Sequence, residues 1–126
     1  MRLFVEFLGP STNAIYAGTH WGKRKKAKDD ACAATLAAVR AAGVQQVAGR
    51  VDLVFRPRIG KGVRRRDTSN NSMSAKLIED ALVKAGVLAD DTDEHVRRVI
   101  NEPAEIDRKA QTGTWVEIIE VEGEAA

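Results

Sequence analysis

The strongest constraint on the fold of this chain is the way the period of its apolar residues switches along the sequence. Leu3, Val5 and Phe7 alternate with residues that include Arg2 and Glu6, which predicts a half-buried strand over residues 2–8 that ends at Gly9 and Pro10. Ala31, Ala34, Thr35, Ala38 and Ala42 then recur at helical spacing, predicting a helix over residues 25–42 with Gly43 as its stop. The period returns to two at Val47, Val51, Leu53 and Phe55, until Pro57, Gly60 and Gly62 break it. Met73, Leu77, Ile78, Ala81 and Leu82 predict a second helix over residues 72–85, stopped by Gly86. Short strands follow over Val96 to Ile100 and Trp115 to Val121, with a loop from Asp107 to Gly113 between them. The order β-α-β-α-β-β implies an α+β fold, a small mixed sheet packed with two helices, because that arrangement hides both helical apolar stripes.

At 126 residues and 44% apolar composition, residues 1–126 fit one domain with a core large enough to fold without covalent staples. No stretch of about 18 apolar residues is available to span a bilayer, and Met1 opens into strand-like alternation, unlike a secretory leader. Cys32 is the single cysteine, so an intramolecular disulfide is impossible and a reducing cytoplasm is the expected setting. His20 and His95 have no second histidine or cysteine at metal spacing, which argues against zinc.

A net charge of +2 conceals a strong segregation. Eleven of the 20 Lys and Arg residues fall within residues 23–28 and 56–66. The first window, Lys23, Arg24, Lys25, Lys26 and Lys28, leads into the first helix. The second ends in Arg64, Arg65 and Arg66, which run directly into Asp67. Such basic windows are the electrostatic footprint expected of a phosphate-binding surface.

Cations set beside carboxylates are what metal-assisted phosphodiester cleavage needs: acids hold the metal, the metal makes a water more acidic, and basic groups attract the backbone. Asp90 and Asp91 could complete a metal shell begun by Asp67. A helix of about 12 residues is roughly 18 Å long, and six extended steps cover up to roughly 20 Å, so Asp91 has the reach to return along the second helix. A plainer reading stands beside this one. Arg64 to Arg66 would be a solvated loop, Lys76, Asp80 and Lys84 a surface ladder at helical spacing, and Asp90 and Asp91 a turn.

The stretch from Arg64 to Val96, RRRDTSNNSMSAKLIEDALVKAGVLADDTDEHV, resembles the signature region of RusA-type Holliday junction resolvases, in its phage-type form. That pattern places basic residues before Asp-x-Asp-Asn, then a helix with a lysine, Asp-Ala-Leu, a glycine and an Asp-Asp pair. Asp67, Asn70, Lys76, Asp80, Leu82, Gly86, Asp90 and Asp91 match it in order. Pro10, Asn13 and Tyr16 resemble the family's Pro-x-x-Asn-x-x-Tyr segment after the first strand. One position departs from the pattern. Ser69 stands where the family carries a second aspartate, and a hydroxyl is a poorer Mg²⁺ ligand than a carboxylate.

The resemblance implies a homodimeric, Mg²⁺-dependent endonuclease, with Mn²⁺ as a substitute, that makes paired cuts in four-way junctions or branched DNA during recombination, repair or phage DNA processing. It makes Asp67 and Asp91 metal ligands, with Asp90 or a water on Ser69 completing the shell. Lys76 becomes the group that stabilises charge developing on the scissile phosphate. Asn13, Asn70, Lys23 to Lys26, Lys28 and Arg64 to Arg66 become DNA contacts, although Asn70 could equally shape the turn before the helix. Two competing functions remain. A protein on the same scaffold weakened by Ser69 would bind junctions without nicking them, and a small basic RNA-binding protein would be indifferent to Asp67, Asp91 and Lys76.

Overall fold

A computed structural model describes residues 1–10, 21–65 and 67–121, without the side chains of Trp21 and Ser69. The expectations placed on Asn13, Tyr16, His20, Arg66 and the Ser69 hydroxyl therefore lie outside the described residues. The elements in chain order are β1 (Arg2–Val5), α1 (Trp21–Ala42), β2 (Val51–Ile59), a 3-10 turn (Thr68–Asn71), α2 (Ser72–Lys84), β3 (Val96–Asn101), β4 (Glu105–Ile106) and β5 (Gly113–Glu120). The fold is α+β, with a mixed five-stranded sheet and two helices.

The last strand inserts into the middle of the sheet. The strand order is β1-β5-β2-β3, with β4 also on β2; β5 runs antiparallel to both β1 and β2, whereas β3 and β4 run parallel to β2. One face carries the core. Leu3, Val5, Val51, Leu53, Phe55, Val116 and Ile118 meet Ala27, Ala31 and Val39 of α1 and Ala75, Ile78 and Leu82 of α2. The small residues on α1 leave room for the two helices to pack on each other.

Both helices stop where the sequence predicts, and for the same reason. Gly43 and Gly86 take φ of 65° and 79°. At the end of α1, Gly43 N donates to Arg40 O (3.3 Å) and Val44 N to Val39 O (3.1 Å). At the end of α2, Gly86 N donates to Val83 O (3.1 Å) and Val87 N to Leu82 O (3.0 Å). This is the Schellman arrangement, in which a residue of positive φ satisfies the last carbonyls and tucks the next apolar residue onto the helix.

Several predicted boundaries shift. β1 ends at Val5, where Phe7 N turns back to Val5 O (2.7 Å), yet Phe7 remains in the core. α1 begins at Trp21, which puts the whole basic window on the helix. β2 does not break at Pro57 but runs on to Ile59. Phe55 O and Ile59 O accept from Glu102 N and Asp107 N, so the odd residues of β2 aim their backbone groups at the parallel neighbours. The missing N–H of Pro57 thus faces the gap between β3 and β4, where no ladder bond is lost. The two-residue β4 was not foreseen.

Candidate functional site

Lys76 lies one turn into α2 and gathers three carboxylates. Its Nζ is 2.9 Å from Asp91 Oδ2, 3.2 Å from Asp80 Oδ1 and 3.4 Å from Glu79 Oε1. Glu79 and Asp80 reach it because residues three and four apart share a helix face. Asp91 arrives from the segment after Gly86, which folds back along α2 so that residues 15 apart in sequence meet. Asp90 Oδ1 accepts the Asp91 backbone N–H (2.8 Å) and shapes the turn that presents Asp91.

The electrostatics follow from this geometry. The hydrogen bond from Lys76, and then its charge, holds the Asp91 carboxyl below the usual carboxylate range. The same bond, opposed by partial burial and reinforced by Asp80 and Glu79, raises Lys76 above its ordinary value. Glu79 moves the other way. Burial pushes its carboxyl up, and although Lys76 opposes the shift, the charges of Asp91 and Asp80 add to it.

Oxygens of Glu79, Asp80 and Asp91 lie within 4.8 Å of one another, and this group could hold a metal ion. Its donor set is all carboxylate oxygen, the chemistry suited to hard divalent cations. It differs from the set expected from sequence. Asp91 belongs to it, but Asp67 and Asp90 do not, and the second and third acids are Glu79 and Asp80 of α2. Asp67 is exposed just before the 3-10 turn, where its carbonyl accepts from Asn70 N (2.9 Å). Glu79 was missed, although its i,i+3 spacing from Lys76 was a usable signal.

Other expected contacts are spread over the surface. Lys23, Arg24, Lys25, Lys26 and Lys28 are exposed on α1, but Lys25 pairs with Asp29 (3.0 Å) and Lys26 with Asp30 (2.7 Å), which cancels part of the window's charge. Arg64 and Arg65 are exposed in the loop before Asp67. Arg108 Nη1 fastens that loop by donating to Gly60 O (2.6 Å) and Val63 O (2.5 Å). Arg56 and Arg58 of the second basic window lie in β2; Arg58 Nε donates to Gln111 O (2.8 Å). Asn71, not Asn70, stands at the N-cap of α2 and makes no side-chain cap bond. Its side chain is buried, 3% exposed, and among the described residues neither its amide oxygen nor its nitrogen has a partner.

No family model matches the chain, and a search of curated proteins returns no match. Among the described residues no helix is long and apolar enough to cross a membrane.

Proposed function

We propose that this protein is a Mg²⁺-dependent, structure-selective DNA endonuclease of the RusA type, acting as a homodimer in the cytoplasm on four-way junctions or branched DNA. The observation that carries the reading is Lys76 seated against Asp91 and Asp80, with Glu79 behind, on the side of α2 reached by the Asp90-Asp91 turn. The carboxylates suit Mg²⁺ or Mn²⁺, which when bound supplies Lewis-acid polarisation of the phosphate and a more acidic water. Asp91, Asp80 and Glu79 would hold the ion. With a cation held by these carboxylates, the Lys76 ammonium would be available to stabilise charge developing on the scissile phosphate. Asp67 acts from the adjoining loop, and Asp90 orients Asp91. Arg64 and Arg65, with Lys23 and Lys28 on α1, contribute sequence-independent attraction to the backbone.

A second reading, junction binding without cleavage, is favoured by two observations: Ser69 replaces the family's aspartate, and Asp67 stands outside the acidic group. One experiment separates the readings. Labelled four-way junction and duplex DNA are incubated with the protein in Mg²⁺ or chelator. The nuclease reading expects Mg²⁺-dependent paired nicks in the junction, lost in Asp91→Asn and increased in Ser69→Asp. Tight binding without nicks selects the second reading. RNA binding unaffected by Asp67→Asn, Lys76→Met and Asp91→Asn removes both.

A further inference from the structure

Between the two helices lies a hollow of about 120 Å³ lined by Pro10, Arg24, Ala27, Met73 and Leu77. Ala27 of α1 is too short to fill the space in front of Met73 and Leu77, which stay half-buried. The hollow adjoins the acidic group through α2. Met73 stands one turn before Lys76 and Leu77 follows Lys76 directly, and residues three apart on a helix carry Cβ atoms about 5–6 Å from each other. Met73, Lys76, Leu77 and Asp80 thus share the outer arc of α2, opposite the Ala75, Ile78 and Leu82 that it sends into the core.

Size, wall chemistry and charge together select the occupant. The hollow has room for about ten water-sized spheres. A rigid plane never fills an irregular space completely, so the fit is to a single six-membered ring with its substituents and not to a fused pair. Four of the five lining residues are apolar, which leaves a ring's polar edge to face solvent and its apolar edge to point inward; the C5 methyl of thymine is such an edge. The Met73 thioether adds a favourable contact with an aromatic plane. Cations stand on both banks: Arg24 and, one turn further along α1, Lys28 on one side, Lys76 on the other, all exposed. A base with a phosphate on either side of it matches that pattern. An acyl chain carries its charge at one end only and is too long for the hollow.

We propose that the hollow between Met73 and Leu77 receives an unpaired pyrimidine, thymine ahead of cytosine, from the DNA strand whose phosphate lies at Lys76. The proposal rests on the reading of the Lys76 site as one that acts on branched DNA, and deepens it. A base inside a continuous duplex must leave its stack and its partner before it can enter, whereas a base at a branch point is already loose and enters at less cost. The hollow thereby favours branched over continuous DNA without reading an extended sequence.

The test binds the full chain, in chelator so that no strand is cut, to duplexes carrying one unpaired thymine, cytosine, adenine or abasic residue. Met1 and Met73 are the two methionines, so carbon-13 labelling of their methyl groups gives one signal at the hollow and one away from it. The unpaired thymine should move the Met73 signal upfield through its ring current and leave Met1 in place. Affinity should fall about tenfold or more from thymine to the abasic residue, with adenine bound more weakly than thymine. Leu77→Trp, which fills the hollow, should bring the four affinities to within about twofold of one another. Met73→Ala, which opens it, should admit adenine; circular dichroism checks that both variants fold. A Met73 signal that stays put at saturation overturns the proposal, as does equal affinity for thymine and the abasic residue, adenine bound as tightly as thymine, or a thymine preference that survives Leu77→Trp. A protein that shows this base dependence yet nicks no junction keeps the hollow and counts against only the nuclease. One that nicks junctions but ignores the unpaired base overturns only the hollow, and one that binds no DNA overturns both.

Discussion

Replacing Lys76 by methionine should move cation affinity and catalysis in opposite directions. Its ammonium occupies the place among Glu79, Asp80 and Asp91 that a cation would take. A metal must therefore displace it before using the same oxygens. The Lys76 side chain is 53% exposed, so solvent screens these contacts, and those to Glu79 and Asp80 are each worth less than about 1 kcal/mol. Losing that competition should tighten Mn²⁺ binding about 5- to 30-fold. Methionine keeps the length and apolar stem of the side chain while deleting the charge that would stabilise the scissile phosphate, so junction cleavage should fall by a factor of about 10² to 10³. Calorimetric titration with Mn²⁺ and single-turnover cleavage of a labelled junction measure the two effects. Weaker Mn²⁺ binding in Lys76→Met would refute the competition. Undiminished cleavage would remove Lys76 from the chemistry.

Three further outcomes follow from other parts of the structure. Glu79→Gln should make the metal-free protein more stable at neutral pH while weakening Mn²⁺ binding. The buried carboxyl has a folded pKa above its unfolded one, so its contribution is present below the unfolded value and lost as pH rises through the folded one; urea unfolding at pH 4 and pH 7 reads the difference. Asp52→Asn should cost about 1 to 3 kcal/mol in the same assay at pH 7, because Arg97 donates to both oxygens of Asp52 at 3.0 and 2.7 Å. That pairing lowers the Asp52 pKa, so wild type keeps this stability above the ordinary aspartate range and loses it as pH falls through the lowered value, whereas Asp52→Asn should lack that acid-dependent loss. Gly86→Ala should cost about 1 to 2 kcal/mol of unfolding free energy purely through backbone conformation, since among the described residues nothing beyond its own chain neighbours lies within 4 Å of an added Cβ at φ 79°.

The two helices and their stops were legible because the signals are local. Ala31 to Ala42 and Met73 to Leu82 declare their period within a few turns, and Gly43 and Gly86 supply the positive φ that ends them. Pro57 misled for an equally definite reason. A proline weakens a strand only where its N–H is needed, and the gap between β3 and β4 that excuses Pro57 exists only once those strands have docked.

The candidate site divides along the same line. Lys76, Glu79 and Asp80 share a face because helical geometry places residues three and four apart together, so their meeting was fixed by sequence. Asp91 joins them because the segment after Gly86 packs Val87 and Leu88 into the core and doubles back along α2. Asp67, close to α2 in sequence and attractive by resemblance, stays outside the acidic group. The insertion of β5 between β1 and β2, which leaves a sheet face of arginine and aromatic side chains exposed, likewise depends on contacts between residues more than a hundred positions apart. Sequence set the elements through periodicity and backbone preference; long-range packing alone decided which acids surround Lys76 and which sheet face remains open, because register and strand order are properties of the assembled core.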